Sequence, residues 1–237
     1  MPHLPSLRRL LLTLSSSSGR DPLTFTSQFS VQLPALQELR IDAIFTNVTL
    51  FPGCLPASLT CLDMGPSMGC GYLPDAVAAA TQLRQLRVMI PQPAGSRTQQ
   101  LRVSRLQQLT RLELHHAGCL YSDLAALTAL EKLTLWAPCA AINGPQVKVA
   151  LLPLKRLTSL SLWEARFEGS TLPSELGALT ALEEVVLVVD RGDLRSPDMG
   201  LQGLEVLDSL VRLTKLVLRG AGTVGLPEQF IDIIDVA

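Results

Sequence analysis

Charged residues are scarce in this chain: they make up 17% of its 237 residues and leave a formal net charge of −1. Nucleic acids and anionic membrane surfaces bind strongly basic faces, so this balance argues against either of them as the main partner. No apolar run reaches the roughly 18 residues that a transmembrane helix needs. Since hydrophobic residues make up 47% of the chain, the composition predicts a large core and no membrane insertion.

The N-terminus resembles a secretory leader only in part. Arg8 and Arg9 precede three leucines at positions 10–12, but this apolar stretch is shorter than the roughly 7–15 residues of a leader's hydrophobic region. The same leucines are also explained by the repeat described below. We therefore expect a cytoplasmic protein without a leader.

Residues that support disulfide, metal or catalytic chemistry are few. The five cysteines are an odd number and include no C-x-x-C pair, so the sequence favours thiols in a reducing compartment over a disulfide framework or a zinc site. His115 and His116 are neighbours on a predicted strand and point to opposite sides of it. No nucleophile-elbow, zinc-protease, P-loop or dinucleotide-binding pattern occurs. The sequence predicts no enzymatic activity, no cofactor and no metal.

One unit recurs along the chain. Residues 127–135 read L-x-x-L-x-x-L-x-L, and copies occur at 154–162 and 210–218. The change of leucine spacing from three to two predicts a turn-like approach followed by a short strand. The first apolar strand residue of each copy is its anchor, and successive anchors are about 26 residues apart on average. The nine anchors are Leu10, Leu39, Leu62, Leu86, Leu112, Leu133, Leu160, Val185 and Leu216.

The segments between the predicted strands carry turn and helix signals. Pro74 precedes an alanine-rich stretch, which predicts a short helix over 76–80, and a second helical segment is expected over 203–210. Asn143, Gly144 and Pro145 predict a turn. Clusters of Ser, Gly, Pro and Asp predict loops at 15–19, 91–95 and 190–197.

Residues 167–187, FEGSTLPSELGALTALEEVVL, resemble the plant-type leucine-rich repeat, whose pattern is F/L-x-G-x-(I/L)-P-x-x-L-G-x-L-x-x-L-x-x-L-x-L. Residues 71–88 are similar but weaker, and the alanine-rich style is similar to that of repeat proteins of plants and green algae. The resemblance covers essentially the whole chain. It implies an α/β solenoid with a curved parallel sheet on the concave face and short helices, turns and loops on the convex face. We expect residues 1–237 to form a single domain of about nine irregular repeats, or a fragment that lacks its caps.

The chain departs from that family at one position. The family places Asn or Cys three residues after the second strand leucine, where the side chain bonds the backbone of the turn. Here those positions hold Ser15, Ile44, Ser67, Pro91, Ala117, Pro138, Ala165, Asp190 and Ala221. Without an asparagine ladder, we expect irregular turns and modest stability on the same fold.

Both tryptophans of the chain fall in one column on adjacent predicted strands, which places their Cβ atoms about 5 Å apart. An exposed aromatic and aliphatic patch with polar neighbours is typical of a protein-binding hot spot. The predicted partner site on the concave face consists of Arg111, His115, Trp136, Trp163, Val186 and Val188. The alternative is that both indoles fold onto the sheet and serve only the structure.

Alternating charges mark the N-terminal half of the same face. The residues are Glu38, Arg40, Asp42, Asp63, Arg84, Arg87, Arg111 and Glu113. Such a pattern can fix the orientation of a partner. A solvated face without a binding role is the more common meaning of surface charge.

The leading hypothesis is a non-enzymatic protein–protein interaction module, acting as a scaffold, adaptor or recognition subunit. One alternative is a fragment of a leucine-rich-repeat receptor ectodomain, in which Asn47 would carry a glycan. Another is the leucine-rich-repeat regulatory region of a larger immune sensor or enzyme chain. A cytoskeletal or ciliary setting follows by analogy alone, and the sequence leaves the partner and the oligomeric state open.

Overall fold

The computed structural model describes residues 3–15, 23–44, 48–65, 73–89, 101–115, 120–138, 140–189 and 201–219. The chain divides into two compact units, Met1–His115 and His116–Ala237. In each unit, parallel strands lie side by side in chain order, one for each repeat.

The first unit contains seven strands and two short helices among its described residues. In chain order they are β1 (Arg9–Ser15), β2 (Leu23–Phe25), α1 (Ser27–Gln32), β3 (Glu38–Ile44), β4 (Val48–Leu50), β5 (Cys61–Met64), α2 (Asp75–Ala78), β6 (Gln85–Met89) and β7 (Arg111–His115). Strands β1, β3, β5, β6 and β7 form the main parallel sheet, while β2 and β4 form a separate two-stranded sheet.

The second unit contains four strands, one α-helix and four 3₁₀ helices among its described residues. The strands are β8 (Lys132–Trp136), β9 (Ser159–Ala165), β10 (Glu184–Val189) and β11 (Lys215–Arg219), parallel in that order. The α-helix is α3 (Gly144–Ala150), and the 3₁₀ helices span Ser122–Ala126, Glu168–Ser170, Ser174–Ala178 and Leu204–Ser209.

The leucine pattern explains the approach to the strand in the repeats whose leucines are spaced by three. Where leucines are spaced by three, the backbone N–H of one donates to the carbonyl of the previous one, as from Leu130 to Leu127 and from Leu157 to Leu154. The spacing then changes to two, and Leu133 and Leu135 in β8 point to one side and are 0% exposed. Burial of each such leucine contributes about 1.5–3 kcal/mol. One face of each sheet therefore forms the core; we call the opposite side the open face.

The predicted anchors pair with one another in the strand register. Leu10, Leu39, Leu62, Leu86 and Leu112 lie opposite one another in the first unit. Leu133, Leu160, Val185 and Leu216 do so in the second. Their neighbours on the open face consequently form columns that run across the strands.

The segments between strands agree only in part with their predictions. Helix α2 follows Pro74 as expected and ends two residues earlier than predicted, and the segment predicted over 203–210 is a 3₁₀ helix, Leu204–Ser209. Ser15, predicted to begin a loop, is the last residue of β1. The remaining predicted loop residues, 16–19, 91–95 and 190–197, lie outside the described residues.

The prediction of a simple turn at Asn143, Gly144 and Pro145 is wrong, because these residues begin helix α3. The Asn143 side chain accepts a hydrogen bond from the backbone of Gln146 at 3.1 Å, and the Gln146 side chain accepts one from the backbone of Asn143 at 3.3 Å. This reciprocal capping box, with a proline in the first turn, stabilises a helix N-terminus.

Small apolar residues occupy the asparagine-ladder positions that the structure describes in the second unit: Ala165 is 0% exposed and Pro138 is buried. In this unit, backbone hydrogen bonds between successive repeats are made just before strands β9, β10 and β11. The Glu131 carbonyl accepts the backbone N–H groups of Thr158 and Ser159 at 2.9 and 3.0 Å, and the Glu183 carbonyl accepts those of the next repeat in the same way.

A threonine hydroxyl reinforces several of these junctions. The side chains of Thr60, Thr110, Thr158 and Thr214 donate to the carbonyls of Gln37, Arg84, Glu131 and Glu183, at 3.0–3.3 Å. The sequence signal is a leucine–threonine pair immediately before the strand. These hydroxyls stabilise the contact between successive repeats in the absence of an asparagine ladder.

We predict that Thr158→Val with Thr214→Val lowers the free energy of unfolding by about 1–2 kcal/mol, since a hydrogen bond contributes about 0.5–1.5 kcal/mol. The matched control is Thr128→Val with Thr180→Val, two exposed threonines of the same unit whose hydroxyls bond no described group. Urea unfolding followed by circular dichroism measures both. Equal losses in the two double variants would contradict a role for the junction hydroxyls.

Candidate functional site

The two tryptophans stack on the open face of the second unit. Trp136 ends β8 and lies opposite Trp163 of β9 in the strand register. Their ring centroids are 4.4 Å apart and their planes differ by 9°. The adjacency expected from their shared column is therefore present, and each indole covers one face of the other.

Both indoles are half-buried, so neither is fully open and neither is fully folded away. Nε1 of Trp136 is shielded from solvent. Since one face of each ring packs against the other ring, that face is closed to solvent and to any partner. This arrangement is a rigid apolar ridge and not a pair of independent side chains.

Two valines continue this surface with different exposures. Val188 follows Trp163 in the same column and is half-buried. Val186, in the middle column, is only 7% exposed, and its neighbour Val217 in β11 is 8% exposed. Val186 therefore offers a partner little surface, although the sequence analysis includes it in an exposed patch.

The other two predicted site residues belong to the first unit. Arg111 is the exposed first residue of β7. His115 is its last residue, with Nε2 at 2.8 Å from Oε1 of Glu113. The structure thus groups Trp136, Trp163, Val186 and Val188 in the second unit, and Arg111 and His115 in the first.

A polar row borders the tryptophan ridge in the first column of the second unit. The Ser159 hydroxyl donates to Oε2 of Glu184 at 3.0 Å, and Lys215 Nζ donates to Oε1 of the same carboxylate at 2.5 Å. The hydrogen bond from Lys215 lowers the pKa of Glu184, burial opposes this shift, and Ser159 adds to it. Sequence reasoning did not connect these residues, although all three fall in one column.

The backbone is strained directly after each indole. Ala137 follows Trp136 with φ of 48°, and Glu164 follows Trp163 with φ of 53°. Between β9 and β10, Val188 pairs with Trp163 and Val189 pairs with Ala165, so Glu164 is an extra residue at the end of its strand. Left-handed backbone costs a non-glycine residue roughly 1–2 kcal/mol. No sequence signal marks these positions, because neither holds glycine or asparagine.

The described residues were compared with what a metal site or a reactive thiol requires. They contain no group of three or more His, Cys, Asp or Glu side chains placed to hold a metal ion. Burial raises the pKa of the Cys54 thiol to about 11. The pKa of the Cys61 thiol is also raised, chiefly by burial and to a smaller extent by the negative charge of Glu38. A raised thiol pKa reduces the thiolate fraction, which makes both cysteines weak nucleophiles near neutral pH.

Many solved structures resemble this chain, among them the following two. An LRR protein of Leptospira interrogans aligns with a TM-score of 0.59 at 19% identity, over 91% of this chain and 52% of its own. TLR13, in the TLR13–ssRNA13 complex, aligns with a TM-score of 0.62 at 19% identity, over 91% of this chain and 30% of its own. The fold is that of a leucine-rich-repeat protein.

The expected α/β leucine-rich-repeat fold is therefore confirmed. The chain spans about half the length of the Leptospira protein and less than a third of TLR13. No protein-family model and no curated protein matches the sequence. Among the described residues, no helix is long and apolar enough to cross a membrane.

We predict that Glu184→Gln destabilises the protein at pH 7 by a few tenths to about 1 kcal/mol, the range of surface ion pairs. The folded-state pKa of Glu184 lies below its usual value of 4.5. Its ionised form therefore stabilises the fold above that pH, and the contribution disappears as pH falls through the folded-state pKa.

Urea unfolding between pH 7 and pH 3 should show the gap between wild type and Glu184→Gln closing as the pH falls. Glu205→Gln, at an exposed glutamate without an ion pair to a described residue, serves as the control. A gap of constant size across this range would show that the carboxylate charge is not the cause.

We also predict that Glu164→Gly is more stable than Glu164→Ala. Glycine normally costs about 0.5–1 kcal/mol relative to alanine in a strand or helix, but at a positive φ the order reverses. The control is Ala178→Gly, at the end of the 3₁₀ helix Ser174–Ala178, where the same exchange of alanine for glycine should lower stability. Urea unfolding measures all three variants. If Glu164→Gly were less stable than Glu164→Ala, the backbone at Glu164 would not be strained by its positive φ, and this interpretation would be wrong.

Proposed function

We propose that this protein is a non-enzymatic protein–protein interaction module that binds a partner through its open face, which corresponds to the predicted concave face. The stacked pair Trp136 and Trp163 carries the proposal. Large aromatic side chains held on an accessible sheet surface are characteristic of binding hot spots. The leucine-rich-repeat fold supplies the rigid platform.

The stack reduces the entropic cost of binding. Immobilising a free side chain at an interface costs about 0.5–1.5 kcal/mol. Each indole is already fixed by the other at a centroid distance of 4.4 Å, so most of this cost is met when the protein folds. A partner then gains apolar contact on a pre-organised surface.

The surroundings of the stack match the usual arrangement of an interface, in which an apolar centre has a polar rim. Val188 extends the apolar part along the column. Lys132, Glu184 and Lys215 lie in the first column and form the charged side. This composition favours a partner with an apolar contact surface and a polar border.

The remaining predicted site residues have different parts in the proposal. Val186 is 7% exposed and contributes through packing of the surface instead of direct contact. Arg111, exposed on β7, and His115, bonded to Glu113, remain sequence-based members of the site. We propose that Arg111 and His115 contact a partner from the open face of the first unit, and we propose no contact between them and the tryptophans.

A protein partner in a cytoplasmic setting is part of the same proposal. Cys54 and Cys61 are free thiols, which is usual in a reducing compartment. The net charge of −1 gives no field that would attract nucleic acid. RNA binding in the TLR13–ssRNA13 complex is reported for TLR13 and not for this chain.

We also propose that the repeat at residues 167–187 is of the plant type. This part of the proposal rests on the sequence of that repeat alone.

The test is capture of partners from cell extract by wild type, by Trp136→Arg with Trp163→Arg, and by Val211→Arg. Val211 is 84% exposed in the turn before β11, so its variant controls for one added charge at an apolar surface position. We predict that wild type and Val211→Arg capture the same protein and that the folded double variant loses it. Circular dichroism establishes that each variant is folded.

Intrinsic fluorescence gives an independent readout, because the chain has only two tryptophans and both lie in the site. Addition of the purified partner should change the emission and reduce quenching by acrylamide. Equal capture by the double variant and the wild type would disprove the proposal. So would indoles that acrylamide does not reach in the free protein.

A further inference from the structure

Three arginines on the open face of the first unit share one geometry. Nε of Arg9, Arg40 and Arg87 bonds a carboxylate on the next strand, respectively Glu38 at 3.1 Å, Asp63 at 3.0 Å and Glu113 at 3.3 Å. Five of the eight residues in the predicted alternation of charge take part in ion pairs that run across the strands: Glu38, Arg40, Asp63, Arg87 and Glu113. Each pair uses the inner nitrogen of the guanidinium.

The carboxylates lie lower on this face than the arginines. The exposed fractions of the Arg40 and Arg87 side chains are 52% and 42%, whereas those of Asp63 and Glu113 are 18% and 31%. Burial raises the pKa of Asp63 even though Arg87 and Arg40 act in the opposite direction. In these pairs the guanidinium groups of Arg40 and Arg87 are therefore more accessible to a partner than the carboxylates that they bond.

The terminal nitrogens of these arginines retain hydrogen-bonding capacity. A guanidinium has five N–H donors, and bonding through Nε leaves the four on Nη1 and Nη2. The only further ionic contact of the pair Arg40 and Arg87 with described groups is Arg87 Nη1 at 3.9 Å from Asp63. The ion pairs thus orient each guanidinium group. Its two terminal nitrogens, Nη1 and Nη2, which we call the fork, remain able to bind a second carboxylate.

The distance between the two central arginines is set by the strand register. Arg40 lies opposite Asp63, which lies opposite Arg87, so the two arginines are two strands apart. At a strand spacing of about 4.8 Å, they are separated by about 9.6 Å. A polyproline II helix rises about 3.1 Å per residue with three residues per turn, which puts residues i and i+3 on one side about 9.3 Å apart. In a β-strand, residues i and i+3 point to opposite sides.

We propose that the open face of the first unit binds an acidic protein segment in the polyproline II conformation. The segment runs across the strands, and its carboxylates at positions i and i+3 bond the forks of Arg40 and Arg87. This surface lies in a different unit from the tryptophan stack and does not depend on it. The partner is a protein with an acidic residue at every third position, interspersed with proline.

A nucleic acid fits this surface less well. The same face carries Glu38, Asp42, Asp63 and Glu113, so a continuous polyanion meets repulsion between the arginines. An acidic segment with two carboxylates at a fixed separation contacts only the guanidinium groups of Arg40 and Arg87. Spacing, more than total charge, is therefore the basis of recognition.

The test uses the full chain and three fluorescent peptides in anisotropy titrations at low salt. One peptide repeats Glu-Pro-Pro, the second repeats Gln-Pro-Pro, and the third has the composition of the first with its glutamates adjacent. We predict that the first binds, that the second does not, and that the third binds at least about fivefold more weakly. Equal binding of the first and third peptides would overturn the proposal, because charge without spacing would then suffice.

The variants Arg40→Gln and Arg87→Gln should each weaken binding of the Glu-Pro-Pro peptide about fivefold, in line with the loss of an exposed ion pair. Arg105→Gln removes the same charge at an exposed position outside the sheet and should leave affinity unchanged. The double variant Trp136→Phe with Trp163→Phe should also bind the peptide normally, which separates this surface from the tryptophan site.

Two further results would overturn the assignment. Equal weakening by Arg105→Gln and Arg40→Gln would indicate nonspecific attraction. Tighter binding of a single-stranded RNA oligonucleotide than of the peptide, lost in the same two variants, would assign the surface to nucleic acid. Urea midpoints of all variants, measured in parallel, exclude unfolding as the cause of lost binding.

Discussion

The structure depends on one backbone interaction that recurs before seven strands of the described part of the chain. A single carbonyl accepts the N–H groups of two successive residues of the next repeat, at 2.8–3.0 Å. Among the described residues, the acceptors are the carbonyls of Arg8, Gln37, Thr60, Arg84, Glu131, Thr158 and Glu183. Because two donors converge on one oxygen, each strand can begin at only one residue relative to its neighbour. In a parallel sheet, a slip of one residue would turn every core leucine outward.

Both candidate surfaces follow from this register. In the second unit it brings Trp136 opposite Trp163, and the indoles stack. In the first unit it brings Arg40 and Arg87 to either side of Asp63. Asp63 then orients the guanidinium group of Arg40, and Glu113 orients that of Arg87. Side chains that are about 25 residues apart in sequence thus become neighbours at the spacing of adjacent strands, about 4.8 Å.

Leucine spacing was sufficient to predict the strands that contain the nine anchors, because burial of alternate leucines determines which face of each strand lies in the core. It also predicted the column that contains both tryptophans. It did not predict β2 and β4, which form the separate two-stranded sheet. It did not predict helix α3, although the Asn143 and Gln146 pair is a readable capping signal. The burial of Val186 was missed because alternation gives the direction of a side chain and not what surrounds it. The positive φ of Ala137 and Glu164 has no counterpart in residue type, so only the structure reveals it.

The paired bonds before each strand can be tested by native-state hydrogen exchange. The relevant amides in the second unit belong to Thr158, Ser159, Glu183, Glu184, Thr214 and Lys215. If these bonds fix the register, the six amides should exchange only through global unfolding of their unit, although the side chains of Thr214 and Lys215 are exposed. Exchange through local opening, at the free energies near zero that are typical of surface loops, would contradict the account.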